Sequence, residues 1–205
     1  MVNLISIHSH LLLQILIILF MSFMHSFTLT SKILGAIALL FITNSIYAQK
    51  NRPSPARITE GKIGEANITI SYSSPAVKER EIWGNLVPYN KIWRAGANEA
   101  TTFSTDKNLY ISNKKLSAGT YSLFIIPTDN SKWIAIFNNQ AKQWGSGNYD
   151  KSKDAIRVEV EVHDLQKSFE RLNYQIDSNR NVIKLIWEKK SLSIPVNFST
   201  NTLSE

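Results

Sequence analysis

Apolar and polar residues alternate with a period of two along most of the chain after residue 65. Ile68, Ile70 and Tyr72 point one way while Asn67, Thr69 and Ser71 point the other, which predicts a half-buried strand. Leu109 to Ser112, then Asn113-Lys114-Lys115, then Leu116 onward predict a strand, a turn and a return. Thr120 to Pro127 is too apolar to be exposed on both faces, and Trp133 to Phe137 follows it within hairpin distance. The cleanest alternation is Ile156, Val158, Val160 and Val162, with Arg157, Glu159 and Glu161 between them. Leu172, Tyr174 and Ile176 repeat the pattern as a further strand. Val182 to Glu188 and Leu192, Ile194 and Val196 predict a final hairpin across Lys189-Lys190. Pro195 cannot donate to a ladder, so that last strand is expected at an edge on at least one side. Roughly eight to ten short strands separated by turn residues predict an all-β fold, a single antiparallel β-sandwich or barrel-like domain.

The N-terminal pattern is different. Lys32 precedes the apolar run Ile33 to Ile42, and Thr43 to Ala48 follows it, the order of a secretory signal with its cut after Ala48. That run is shorter than the roughly 20 apolar residues of a spanning helix. Upstream, Leu11 to Phe27 forms a second apolar run, and residues 1–31 hold no Lys, Arg, Asp or Glu to orient it. A start at Met24 would give a signal of ordinary length; the alternative is an N-terminal membrane segment. The expected organisation is a leader over 1–48, a polar, proline-containing mobile spacer over 49–56 and one all-β domain over 57–205. The expected location is therefore outside the cytoplasm, periplasmic or extracellular.

Composition narrows the chemistry. There are no cysteines, so neither a disulfide framework, a thiol nucleophile nor a cysteine-linked lipid anchor is expected. His8, His10 and His25 fall in the leader, which leaves His163 alone. A lone histidine without a supported nucleophile argues against Ser-His-Asp catalysis and against a histidine-rich metal site, so no metal or cofactor is expected. His163 itself reads as an exposed turn residue. Past Ala48 the chain keeps 22 basic against 16 acidic residues, a net of +6. These charges are scattered and not gathered into a stripe, so nucleic acid is not an expected partner.

The stretch Ser74 to Thr101, SPAVKEREIWGNLVPYNKIWRAGANEAT, fits neither period. Its tryptophans, arginines, glutamates and glycines suit a long, ordered surface segment of the kind that carries function. With SPAVK, Arg80, Ile82-Trp83-Gly84, Leu86-Val87-Pro88-Tyr89, Trp93-Arg94 and Gly96 to Thr101, the chain resembles the domain-of-unknown-function family 2911 (DUF2911), exported bacterial proteins of the Bacteroidetes type. Leu116, Ala118 to Phe124, Ile126-Pro127, Trp133, Phe137-Asn138 and Gln143-Trp144-Gly145 also fit that pattern. The resemblance implies an exported all-β domain and carries over no catalytic residues. It also leads one to expect glycine where Glu79 and Asn90 stand.

Trp93, Arg94, Asn98 and Glu99 are candidates for a polar site with an aromatic floor, and Trp144, in a second glycine-rich loop, is a candidate to complete it. A sugar or other small polar ligand suits such a site. The competing reading is structural: Arg94 as a strut paired with Glu99 or Asp106, Trp83 and Trp93 as a cap, and Trp144 as a plug under its loop. Glu79, Glu81, Glu99 and Asp106 could supply the two carboxylates of a glycan hydrolase. The leading expectation is a non-catalytic ligand-binding or envelope-associated module. A carboxylate-dependent hydrolase and a structural or partner-binding domain using a sheet edge stand behind it.

Overall fold

Period-two alternation becomes nine strands in one open, antiparallel sheet among the described residues, which are 14–22, 31, 33–34 and 52–198 of a computed structural model. The chain divides into an N-terminal unit, Met1–Arg52, and a second unit, Pro53–Glu205. Residues 14–22 are helical, and no helix among the described residues is long and apolar enough to cross a membrane. The expected cut after Ala48 lies outside the described residues.

The strands of the second unit are β1 (Ala56–Ile63), β2 (Ala66–Ser73), β3 (Ala97–Thr105), β4 (Leu109–Ile111), β5 (Lys114–Leu116), β6 (Gly119–Ile126), β7 (Lys132–Asn138), β8 (Asp154–Asp177) and β9 (Val182–Asn197). Their order across the sheet is β1-β2-β3-β6-β7-β8-β9-β4-β5. Ile68, Ile70 and Tyr72 face the core from β2, as their spacing requires. Ser112 and Asn113, both at positive φ, make the tight turn between β4 and β5, so Lys114 and Lys115 belong to the returning strand and not to the turn.

Two features depart from the sequence pattern. Leu172, Tyr174 and Ile176 do not form a separate strand but continue β8, which runs 24 residues from Asp154. Likewise Lys189-Lys190 is not a hairpin turn: β9 passes straight through it, and the chain reverses between Asp177 and Val182 instead. The cause is a shared bend. Pairing steps from Asp164 opposite Lys190, to Phe169 opposite Glu188, to Asn173 opposite Ile186, so β8 carries more residues than β9 over the same length. Extra residues on one strand bend it, and Glu188 at φ 53 bends the other. His163 consequently lies within β8 opposite Ser191, exposed, and not in a turn.

Past the bend, β8 lies against β1. Thr59 donates its hydroxyl to the Tyr174 carbonyl at 3.2 Å, and Ser178 donates to the Lys62 carbonyl at 2.5 Å. A Cβ on Gly61 would stand 3.0 Å from the Ile176 side chain, so this approach needs a residue without one. Pro195 lies beyond the last β8 pair, Glu161 with Ser193, where β9 turns to β4, so the expected edge is one-sided. The spacer also ends earlier than expected: the carbonyls of Pro53, Ser54 and Pro55 accept from Arg171, Asn98 and Ser74, and Ala56 already belongs to β1.

Tyr174 sits in the middle of the bent strand, 2% exposed, with its ring edge-on to Tyr72 at 4.8 Å. Its hydroxyl donates to the Ala95 carbonyl at 2.8 Å. Burial pushes the phenol well above the usual tyrosine value. The folded state thus holds this proton more tightly than the unfolded chain does. The stability it contributes is complete below the unfolded tyrosine value of about 10 and is lost as pH rises above it. Chemical denaturation followed against pH should show that alkaline loss, and Tyr174→Phe should flatten it while costing about 1 kcal/mol at neutral pH.

Candidate functional site

The segment from Ser74 to Gly96 leaves the sheet between β2 and β3 and is tied down at both ends. Val77 N–H donates to the Glu170 carbonyl at 2.8 Å and Leu172 N–H to the Pro75 carbonyl at 3.0 Å, which joins the first part to β8. Trp93 and Ile125 of β6 exchange backbone bonds in both directions at 2.8 Å. Between these anchors, Lys78 (φ 48) and Glu79 (φ 57) are the central residues of a turn closed by Arg80 N–H to the Val77 carbonyl at 3.1 Å. Two successive left-handed residues define the type I′ turn, which favours glycine in the second place. Asn90 is also left-handed, at φ 61. Both positions where the sequence pattern leads one to expect glycine are therefore positions of positive φ.

Four indoles meet beneath this segment. Trp83 lies 5.6 Å from Trp93, 4.8 Å from Trp133 of β7 and 5.7 Å from Trp187 of β9, while Trp93 stacks on Trp187 at 5.9 Å. Trp93 donates its indole N–H to the Gly96 carbonyl at 3.1 Å, and Trp133 donates to the Thr128 carbonyl at 3.0 Å. The indole nitrogens of Trp83 and Trp187 are buried with no protein partner. Buried donors of this kind are uncommon and ask for a reason.

Arg94 to Gly96 form a tightly held corner just beyond Trp93. The Ala95 carbonyl accepts from both the Tyr174 hydroxyl and the Thr101 hydroxyl, the latter at 2.9 Å, and Thr101 N–H donates to the Arg94 carbonyl at 3.2 Å. Thr101 and Ala95 are both fully buried. A Cβ on Gly96 would meet Thr101 Oγ1 at 2.9 Å and the Ser73 carbonyl at 3.1 Å, so the corner has room only for glycine. The Arg94 backbone is thus fixed, yet among the described residues its half-buried side chain makes no ion pair, and its Nε is buried without a protein partner. Desolvation draws the guanidinium below the ordinary arginine value, and no carboxylate offsets it. The expected strut to Glu99 or Asp106 is absent: Asp106 instead accepts from the Asn67 backbone at 2.8 Å and from its side chain at 2.5 Å.

Arg94 opens onto a cavity of about 270 Å³. Arg80, Trp93, Arg94, Asn98 and Trp187 line it together with Ser54 and several apolar or backbone groups. Arg80 is exposed at the rim, where its Nε and Nη2 donate to the Val77 and Ala76 carbonyls at 3.0 and 2.5 Å. Asn98 gives its Nδ2 to the Ser54 carbonyl at 3.2 Å. Of the five candidates, three (Trp93, Arg94 and Asn98) share this cavity.

Glu99 and Trp144 lie elsewhere. They pair as an isolated bridge, and with Ala100, Thr102, Lys142 and Gln143 they border an open depression of about 430 Å³. Trp144 is 63% exposed and so is not a plug. Tyr149 faces inward, edge-on to Phe124 at 5.2 Å, and joins Asp154 and Arg157 in a closed network. Among the described residues no group of three or more His, Asp or Glu is placed to hold a metal. Arg80 and Trp187 were not singled out as candidates from the sequence. Arg80 was within reach as the second arginine of the same segment; Trp187 sits in an ordinary strand alternation that gives no sign of where its ring goes.

The family described as "Protein of unknown function (DUF2911)" matches residues 54–196. The chain belongs to the DUF2911 family. The match takes in the whole of the segment, the indole cluster and the cavity. No curated protein and no solved structure matches the chain.

Two substitutions test this local architecture. Glu79→Gly relieves a left-handed glutamate and should raise stability by about 1 kcal/mol in denaturant titrations. Gly96→Ala forces Thr101 or the Ser73 backbone to move and should cost about 1–3 kcal/mol by the same measurement.

Proposed function

We propose that this DUF2911 chain is an exported, non-catalytic binding module whose small ligand occupies the cavity between Arg80, Arg94, Asn98, Trp93 and Trp187. The finer description of the fold, a sandwich- or barrel-like domain, belongs to the same reading: the bend in β8 and β9 lays the far half of β8 against β1 and encloses the core. The observation that carries the functional reading is the pairing of a rigid backbone with idle polar groups. Arg94 Nε and Trp187 Nε1 are both buried without protein partners beside one cavity. Buried donors are ordinarily satisfied within the fold, and these two, unlike the equally unpartnered Trp83 indole nitrogen, belong to residues that line a cavity where a ligand can supply the acceptor.

The other readings find less support. Glu99 lies near the start of β3 and Asp106 just past its end, seven residues apart, which at about 3.3 Å per residue of extended chain is roughly 23 Å. Glycoside hydrolysis needs carboxyl groups about 5–9.5 Å apart. Edge pairing with a partner is also disfavoured, since β1 is covered by the far part of β8, and β5 is three residues long and carries Lys114 and Lys115.

The binding reading has a clear stability signature. Arg94→Met removes a desolvated charge that has no carboxylate partner, so the melting temperature should hold or rise. A fall of several degrees would show Arg94 to be a structural strut and sink the reading. A hydrolase, in contrast, would release reducing ends from a glycan panel, and none is expected.

A further inference from the structure

The sign of the charge around the cavity goes further than its existence. Arg94 and Arg80 both line it, no Asp or Glu among the described residues does, and the unpartnered buried indole N–H of Trp187 is a third donor. Arg80 spends two of its donors on the Val77 and Ala76 carbonyls, and a guanidinium carries five. Two guanidinium groups, Arg94 half-buried and Arg80 at the exposed rim, with no carboxylate among the described lining residues, form a local excess of positive charge, and Coulomb energies at the half-buried Arg94 are larger than in bulk water.

Resting on the binding reading above, we propose that the ligand is a small oxyanion, a free carboxylate or phosphate compound, with its charged group between Arg94 and Arg80 and any flat apolar part against Trp93 and Trp187. Several observations agree on this. Arginine forks match the two-oxygen edge of carboxylate and phosphate, and the indole N–H adds a donor and no acceptor. The volume of about 270 Å³ lies near the lower end of ligand pockets and suits a compact acid better than a chain of sugars. The corner that presents Arg94 is fixed from behind by Tyr174, Thr101 and the Trp93 indole, so little ordering is left to be done on binding. Desolvation already burdens the Arg94 charge, and an anion would relieve it.

Trp93 and Trp187 lie in the cavity wall, so occupancy should alter the intrinsic fluorescence. The test titrates the domain with inorganic phosphate, sulfate, acetate and benzoate, with glucose and glycerol as neutral comparators, following tryptophan emission and heat. Saturable responses to one or more of the anions, weakened at least about tenfold in Arg94→Gln and also weakened in Arg80→Gln, are expected. Lys142→Gln, in the separate depression beside Trp144, should leave them unchanged. No saturable response to any of the four anions into the tens of millimolar overturns the oxyanion assignment, as does a response that Arg94→Gln leaves intact. If glucose or glycerol binds and Arg94→Gln abolishes it, the cavity is a binding site but its ligand is neutral. The assignment then fails while the binding reading survives, and Arg94→Met judges that reading separately through melting temperature.

Discussion

The Ala95 carbonyl is the point on which the site depends. It accepts two hydrogen bonds, from Tyr174 on the far half of β8 and from Thr101 on β3. Tyr174 reaches it only because β8 bends, and β8 bends because it carries more residues than β9 between Asp164 and Asn173. A register irregularity in a hairpin is thereby converted into the position of an arginine. Ala95 itself is held at φ 52, a conformation an alanine adopts only when its surroundings impose it. Thr101, Tyr174 and the Trp93–Gly96 bond together impose it.

Much of the fold was legible from alternation because a half-buried strand must alternate. β2 from Ala66 to Tyr72 and β8 from Val158 to His163 follow that rule residue by residue. What alternation could not show is continuity. Lys189-Lys190 looks like a turn because two adjacent charges interrupt an apolar pattern, but a bend between two faces interrupts it in the same way. The left-handed Glu188 is the physical difference, and glutamate gives no warning of positive φ.

The site was legible in part for a similar reason. Its residues on the Ser74–Thr101 segment stand out because they fit no regular period. Asn98 and Glu99 are neighbours in sequence, yet Asn98 sits at φ 56, a left-handed kink near the start of β3, so the two residues border different hollows. Asn98 lines the Arg94 cavity, while Glu99 turns to the loop that carries Trp144. Trp187 was beyond reach, since its membership depends on β9 crossing beneath a segment roughly a hundred residues earlier in sequence, and no local signal encodes such a contact.

A comparison within the molecule sharpens the reading of Arg94. Arg157 is also partly buried, and burial alone would lower its affinity for the proton, but the bonds it donates to Asp154 and Tyr149 outweigh that and hold its value up. Asp154 accepts from Arg157 at 2.6 Å, from Tyr149 at 2.7 Å and from Asn138 at 2.9 Å, so no charge in that network is left alone. Arg171 likewise spends its guanidinium on the Pro53 and Ser74 carbonyls. These are arginines employed to hold the fold, and each is supplied with acceptors. Arg94 is burdened by desolvation as Arg157 is, but receives neither a carboxylate nor a carbonyl. Arg157 and Arg171 thus have acceptors within the fold, whereas Arg94, beside a cavity, has none among the described residues, and that contrast is what the proposed ligand would answer.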